Sequence, residues 1–574
     1  MGTRSTGGTR ISGSVRLASI LATAATFAAI QPAGAAGWSN TATSAIPLIK
    51  ATDLGPLSAK APMRVTVALK LPDAAALRRL VEEQNTPGSP QYRTVLTPSA
   101  FNARYAPTAA SVGAVSKYLS NAGFTNIAVE PNHLFVSAHG TAAQIQSAFN
   151  TKLERFSQHG RTVFVNTKPA QVPAALSGIV LSVLGLNDVQ ANLHPKAVTP
   201  CDISAPTCIR LTYDPATYWK AYDVGPMPAA TRTAIAVMAE GDVSGVLSDL
   251  RKAEQVFGLP NVPVTVVQVG LPSTDTAGVD EWDLDTQYST GMAGNVKQLY
   301  IYATTSLTDQ DTALEFNKWV TQDVAQVANA SFSGCEFFAF LDGSMVASDQ
   351  VFLQGAAQGQ TLFSSTGDTG SFCSVGTPNG VPAGAPFVGY PAASPYVVGV
   401  GGTTLLTNAD GSYKGEVTWY AGGGGLSQFE YSPYWQQNVV PTSTSGAPVS
   451  AKAIPDVSMD ADPNTGAIVY VNGASEIVGG TSLSSPLAVG VWARLQSDHL
   501  NRLGFASPKL YAGYSAFTGV PTKVPSGTTR AVDGFHDILT GANGLYTALP
   551  NYDLTTGLGT FDVRLKNSVV GKSP

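Results

Sequence analysis

The chain has 574 residues, too many for one ordinary domain at roughly 100–200 residues each, and only 13% of them are charged while 44% are hydrophobic. Low charge without low hydrophobicity excludes a disordered chain. A net charge of −5 gives no electrostatic reason to bind nucleic acid or an anionic membrane.

In chain order, Arg4, Arg10 and Arg16 come first, then the apolar run Leu17–Ile30 and the small residues Ala33-Gly34-Ala35-Ala36. A positive start, a short apolar stretch and a small-residue exit predict a secretory signal peptide over 1–36. The run is shorter than the roughly 20 residues a membrane span needs. Export predicts that Cys201, Cys208, Cys335 and Cys373 form disulfides. All pairings stay open, and Cys201–Cys208 with Cys335–Cys373 is the most local.

Residues 37–188 predict a small α+β domain. Residues up to about 60 read as polar and irregular. Arg64–Leu71 alternates as a strand, Ala74–Gln84 has helical spacing, and Pro87–Pro90 breaks it. Ser111–Gly123 predicts a second helix. Two paired strands follow, then a helix at Thr141–Phe149 and a last strand at Thr162–Asn166. Residues 189–210 are polar and Pro-containing, a linker open to proteolysis.

Residues 211–574 change character. Apolar strands at Thr233–Gly241, Val264–Gly270, Val296–Ala303, Val327–Ser333, Thr361–Gly367 and Tyr396–Gly402 are partly separated by helices at Leu247–Gly258 and Thr312–Val327. Continuously apolar strands alternating with helices predict an α/β domain on a mostly parallel sheet.

Sites in such sheets lie at the carboxyl ends of strands, and three segments stand out. Gly479-Gly480-Thr481-Ser482 before an apolar run describes a tight turn opening a helix, with Ser482 at its positive end. In Asp280–Gln287, Glu281 and Asp285 are four apart, on one face of a helix, where two like charges repel unless they share a proton. Asp280 and Asp283 read as solvated neighbours. Asp368 sits in a Gly-flanked turn after a strand. Of six histidines only His499 and His536 fall in the large domain. His499 lies at the far end of the Ser482 helix, roughly 25 Å away at 1.5 Å per residue. A serine nucleophile here needs a carboxylate as its base.

GGTSLSSP, EWDLD and TGDTG, in that order, resemble the nucleophile, E-x-x-L-D and G-D-S-G motifs of the sedolisin family of serine-carboxyl peptidases, with Gly479 and Thr369 in place of Ser. The stretches Pro391–Thr403, Gly422–Gln436 and Pro455–Gly466 add to the likeness, and the small domain is similar to the family's activation propeptide. The resemblance implies a subtilisin-like α/β peptidase domain preceded by a ferredoxin-like propeptide that acts as an intramolecular inhibitor. It implies Ser482 as nucleophile, Glu281 as general base, Asp285 orienting Glu281, and Asp368 serving the oxyanion. It places Ser331, Ser333, Gly334 and Gly424 along the substrate cleft. The tail Gly534–Gly559 resembles the family's calcium site, which implies one Ca²⁺ held by Asp537, Ile538, Leu549, Asn551 and Asp553. Leu549 and Asn551 stand where the family usually has Gly. His536 then reads as a structural neighbour.

The expected activity is acid endopeptidase hydrolysis of protein or peptide substrates by a secreted, self-processing, monomeric zymogen. Two alternatives are a tripeptidyl-peptidase of the same family and a secreted, non-catalytic binding protein on the same scaffold.

Overall fold

The computed structural model describes residues 37–48, 51–158, 160–189, 211–373, 385–437, 439–440, 450–512, 514 and 529–570. The expected signal peptide at 1–36, nearly all of the expected linker, and Cys201 with Cys208 lie outside these residues. Cys335 and Cys373 are joined in a disulfide. No helix among the described residues is long and apolar enough to cross a membrane.

The N-terminal domain runs β1 (Pro62–Leu69), α1 (Ala74–Asn85), α2 (Ala109–Asn121), β2 (Thr125–Val129), β3 (Phe135–Thr141), α3 (Ala142–Ala148) and β4 (Val180–Leu184). Its antiparallel sheet has the order β2-β3-β1-β4, the ferredoxin-like βαββαβ arrangement. Capping fixes the helix starts. Asp73, Thr108 and Thr141 each accept a backbone N–H of the first turn.

Thr162–Asn166 is not the last strand of this sheet. It belongs to a separate three-stranded sheet with Thr52–Pro56 and Leu153–Gln158, and Val180–Leu184 closes the main one. The segment before residue 60 is likewise not wholly irregular, since Trp38–Asn40 and Thr52–Pro56 are strands.

Strand β1 alternates between two cores. Val65, Val67 and Leu69 pack against Val115, Leu119, Ile145 and Phe149 of the same domain. Ala68, with Leu77, Leu80 and Phe135, faces the large domain.

The large domain is built on a sheet of β5 (Ala230–Glu240), β6 (Val264–Gln268), β7 (Val296–Thr304), β8 (Val327–Ala330), β9 (Thr361–Ser365), β10 (Val397–Thr407), β11 (Val457–Asp460), β12 (Thr529–Val532), β13 (Phe535–Ile538) and β14 (Thr560–Phe561). Its order is β6-β7-β5-β8-β9-β10-β11-β14-β13-β12, with Tyr413–Thr418 paired to β10. It is parallel from β6 to β14 and antiparallel through β13 and β12. Helices α4 (Ser244–Phe257), α5 (Val279–Ala293), α6 (Asp309–Gln322), α7 (Ser344–Ala357) and α8 (Thr481–Asp498) flank it. Helix α6 ends earlier than its apolar spacing predicts, because Asp323 takes a left-handed conformation (φ 50°) that stops it.

The two domains meet along α6 and α7. The Leu96 N–H donates to Ala357 O at 2.8 Å, and the Asn132 amide donates to Asn317 Oδ1 and Gln354 Oε1. Arg64 pairs with Asp311 across the same boundary.

Candidate active site

Helix α8 presents Ser482 as its second residue. Gly480, at φ 106°, makes the turn that starts the helix. Pro486 lies one turn further on and has no N–H for the Ser482 carbonyl, its normal i–4 acceptor. The Ser331 hydroxyl lies 3.3 Å from that freed carbonyl. In return, the Ser482 hydroxyl donates to Ser331 O, also at 3.3 Å.

Helix α5 lies beside α8 and carries Glu281 and Asp285 one turn apart, both buried. Burial, then the Asp285 charge, hold Glu281 well above the ordinary carboxylate range, and the Ser482 hydroxyl opposes them. Burial raises Asp285 as well, while Ser331 and Asn329 pull it back. Asp285 Oδ1 accepts the Ser331 hydroxyl at 2.6 Å. Ser331 Oγ accepts the Asn329 amide at 2.9 Å, and Asn329 Oδ1 accepts the Ser485 hydroxyl at 2.6 Å. Asp285 Oδ2 and Glu281 Oε1 are buried and have no hydrogen-bond partner among the described residues.

Asp368 follows β9 in a turn between Gly367 and Gly370 and keeps part of its surface open. Its Oδ1 accepts the Thr481 N–H at 2.8 Å and the Thr481 hydroxyl at 2.7 Å. Its Oδ2 accepts nothing among the described residues. Burial raises the carboxyl to about 6, against the opposing pull of Thr481. With Oδ1 occupied as an acceptor, a proton on Asp368 sits on Oδ2.

Behind this turn, Gly423 N–H donates to Gly367 O at 2.8 Å. A Cβ on Gly424 would meet Leu554 O at 2.1 Å, so only glycine fits there. Ser333 is half-buried, and Gly334 pairs with Tyr390 in a short antiparallel bridge. Ser331 differs from these: its side chain turns inward to Asp285.

Asp283 is not a solvated neighbour. It is fully buried, and burial with the adjacent Asp249 raises it to about 9. Asp249 is itself fixed by the N–H groups of Asn472 and Gly473, both at 2.8 Å. His499 caps the far end of α8 and meets Asn567, and His536 stacks on Tyr413. Among the described residues, no basic side chain is hydrogen-bonded to Glu281, Asp285, Asp368 or Ser482.

Sequence reasoning missed Asn329, Thr481 and Ser485 as parts of this site. Thr481 and Ser485 lie inside the GGTSLSSP segment, and that nearness was the available signal. Asn329, a polar residue inside the apolar strand β8, was the other.

In the C-terminal loop Asp537 and Asp553 are both buried. Asp537 Oδ2 accepts the Asn551 N–H at 2.9 Å, and Asp553 Oδ2 accepts the Leu549 N–H at 3.0 Å. Asn551 adopts φ 72°, a left-handed conformation that Asn tolerates better than most side chains, and Leu549 does not need it.

Fold and site together define a serine-type peptidase made with an inhibitory propeptide. Residues 50–189 match the family described as "Pro-kumamolisin, activation domain", and residues 273–510 match the "Subtilase family". The chain is 38% identical to sedolisin of Pseudomonas sp. (strain 101), over 91% of this chain and 88% of that protein. It is 35% identical to xanthomonalisin of Xanthomonas sp. (strain T-22), over 91% of this chain and 67% of that protein. The solved structure of Pseudomonas sedolisin, a serine-carboxyl proteinase complexed with two molecules of pseudo-iodotyrostatin, superposes with a TM-score of 0.56 at 35% identity. It covers 62% of this chain and 98% of that one. The chain belongs to the sedolisin family of serine-carboxyl peptidases.

Proposed function

We propose that the mature large domain is an acid endopeptidase with Ser482 as nucleophile, Glu281 as general base, Asp285 as the group that orients Glu281, and Asp368 as oxyanion donor. The observation that carries the reading is the grouping of three carboxyls around one serine at a helix start, Glu281 against Ser482, Asp368 on the adjoining Thr481 and Asp285 linked through Ser331, with no basic side chain bonded to any of them among the described residues.

Glu281 takes the Ser482 proton as Oγ bonds to the scissile carbonyl carbon. The carbonyl oxygen gains charge and accepts the proton-bearing Oδ2 of Asp368. The C–N bond then breaks, and the amine leaves with the proton from Glu281. Water repeats the cycle on the acyl-serine and returns the proton to Ser482. Asp368 must be protonated, which acid favours, while Glu281 must be ionised, which a proton on Asp285 and the Ser482 hydroxyl favour against burial. In the resting precursor the Ser482 hydroxyl donates to Ser331 O at 3.3 Å and lies within reach of the Glu281 carboxyl, whose charged form it supports.

Ser333, Gly334 and Gly424 line the cleft in this reading. Residues 189–210 carry the processing cut, and 1–36 directs secretion. Asp537, Asp553 and the carbonyls of Ile538, Leu549 and Asn551 would hold one Ca²⁺. Two buried carboxylates joined through residues 549–551 supply the hard oxygen donors such an ion takes. Through Asp537 on β13, such an ion would tie this loop to that end of the sheet.

The test is purified precursor incubated at about pH 4, near the reference carboxyl range, with the fragments read by mass spectrometry. The expected result is cleavage within 189–210, then internal cleavage of added protein, and an uncut Ser482→Ala precursor. Normal processing of that variant rejects the assignment, and release of tripeptides alone moves it to the exopeptidase.

A further inference from the structure

The Glu281–Asp285 pair poses a question that the proposed mechanism leaves open. Burial of both carboxyls and their mutual repulsion favour one proton on the pair, and only one placement of it leaves Glu281 ready to act. The proton has to sit on Asp285, and on the oxygen that can give it to Glu281. A proton on the other oxygen would point away, and the base would lose its orienting partner.

The structure contains a device that makes the choice. Three side chains behind Asp285 form one directed chain of donors. Ser485 Oγ donates to Asn329 Oδ1 at 2.6 Å, Asn329 Nδ2 to Ser331 Oγ at 2.9 Å, and Ser331 Oγ to Asp285 Oδ1 at 2.6 Å. All three, like Asp285, are buried beyond the reach of water. The direction follows from chemistry. The Asn329 NH₂ lies on the Ser331 and Asp285 side and its oxygen on the Ser485 side, the arrangement that offers the carboxyl a donor. An amide oxygen turned the other way would face the carboxylate. Ser331 therefore receives a hydrogen from Asn329 and has its single hydroxyl hydrogen left to donate. Its two acceptors are Asp285 Oδ1 at 2.6 Å and the weaker Ser482 O at 3.3 Å.

We infer that Ser331, held in direction by Asn329 and Ser485, is a positioning residue that reserves Asp285 Oδ1 as an acceptor and confines the shared proton to Asp285 Oδ2, the oxygen left for Glu281. Oδ2 is the one Asp285 oxygen with no partner among the described residues, and Glu281 sits one helical turn away. The device resembles the way a carboxylate selects a histidine tautomer, here applied to a carboxylic acid. It gives Ser331 a part in the chemistry through its side chain, beside the backbone carbonyl it offers to Ser482.

The inference rests on the Ser482–Glu281 reading, so the experiment separates the two. The full-length chain is acid-activated, with trace wild-type enzyme added where self-processing is slow. Its peptide hydrolysis is then followed across pH. Ser331→Ala is expected to lower kcat about 10–100-fold, the scale of a slightly misplaced catalytic group. KM is expected to hold, because the side chain does not face substrate. The acid limb should move up by about one pH unit, since a lost donor makes the carboxyl pair harder to ionise. Ser331→Thr keeps the hydroxyl and should recover most of the rate. Ser485→Ala frees the Asn329 amide to turn and should shift the limb the same way by less. Where Ser331→Ala does not fold, Ser485→Ala carries the decision.

A folded, processed Ser331→Ala enzyme with the wild-type kcat and acid limb overturns the inference. Glu281→Gln and Ser482→Ala, run alongside, report on the underlying reading. If either retains activity, that reading falls and takes the inference with it. If both are inactive while Ser331→Ala matches wild type, the inference alone falls.

Discussion

A side chain on Gly480 would collide with the Asp368 oxygen that has no hydrogen-bond partner among the described residues: a Cβ there would lie 2.6 Å from Asp368 Oδ2. The glycine also sits at φ 106°, where an L side chain is strained in any surroundings. These two facts make Gly480 the residue that keeps Asp368 Oδ2 free and starts helix α8 at the right angle. Gly480→Ala is expected to cut kcat/KM by at least about 10²-fold, the cost of losing one oxyanion donor. It should also lower stability by about 1–3 kcal/mol through backbone strain. Kinetics on the processed enzyme and a denaturant titration check both, and a variant with normal turnover would remove Asp368 Oδ2 from the chemistry.

In the proposed mechanism Asp368 is expected to set the upper edge of the working pH range. Burial raises its carboxyl to about 6. The protonated, donating form is therefore present below that value and is lost as pH rises through it. The rate is expected to fall above about pH 6 on a single-proton limb. Asp368→Asn replaces the acid by an amide that donates at every pH, while its oxygen still accepts from Thr481. That variant should be slower by about 10–10²-fold and should lack the upper limb. A profile for Asp368→Asn that still falls near pH 6 would assign the limb to another group.

Much of this site was open to reading from the residues because helix geometry is local. Four residues of spacing put Glu281 and Asp285 on one face, and a glycine pair before an apolar run announced the turn at Ser482. The same locality placed His499 out of reach. What stayed hidden depends on packing between elements. Asn329 and Ser331 end a strand, and which way a strand-end side chain points is decided by the helix packed on it. Asp283 sits among polar neighbours in sequence, yet Asp249 and the Asn472 turn enclose it. Val180–Leu184 is buried on both faces, so its role as the closing strand carries no alternation to distinguish it from the amphipathic Thr162–Asn166.

The buried acids are expected to make stability fall as pH rises. Asp283 is raised to about 9 and Glu336 to about 7, in each case mainly by burial. The Asp349–Glu430 pair is raised as well, by burial of two acids side by side. Each group keeps its proton in the folded state at a pH where the unfolded chain has released it. The folded form thus binds more protons between about pH 4 and the raised values, and stability is lost as pH climbs through that window. The slope is about 1.4 kcal/mol per pH unit for each proton held. The melting temperature of the processed enzyme is expected to drop steadily from pH 4 to pH 8. Asp283→Asn should flatten the curve, since an amide has no charge to acquire. A flat wild-type curve would mean that these acids are ionised in the fold.

Propeptide release should respond to the polar contacts at the domain boundary. Asn132 donates to Asn317 at 2.6 Å and to Gln354 at 2.8 Å, all three buried. Asn132→Ala leaves two buried acceptors unpaired, at a cost of about 1–3 kcal/mol each. The variant precursor is expected to process faster at a given pH and to begin at a higher pH than wild type, as read from gel time courses. Equal onset and rate would place the restraint elsewhere, for example at the Arg64–Asp311 pair.

The C-terminal loop supplies the last prediction. Asp537 and Asp553 hold the backbone N–H groups of Asn551 and Leu549, and Asp553 also accepts from Thr555 and Thr556. These bonds give the loop some shape without a cation, but they leave two buried carboxyl groups facing a short segment. An ion bound there stabilises the folded state in proportion to RT ln(1 + [L]/Kd), about 2.7 kcal/mol at a hundredfold excess over Kd. Exhaustive chelation is therefore expected to lower the melting temperature by several degrees, and Ca²⁺ added back should restore it while Mg²⁺, which holds its water more tightly, should not. Asp553→Asn should melt low from the start and ignore the chelator. An unchanged melting curve after chelation of the wild-type chain refutes the calcium site.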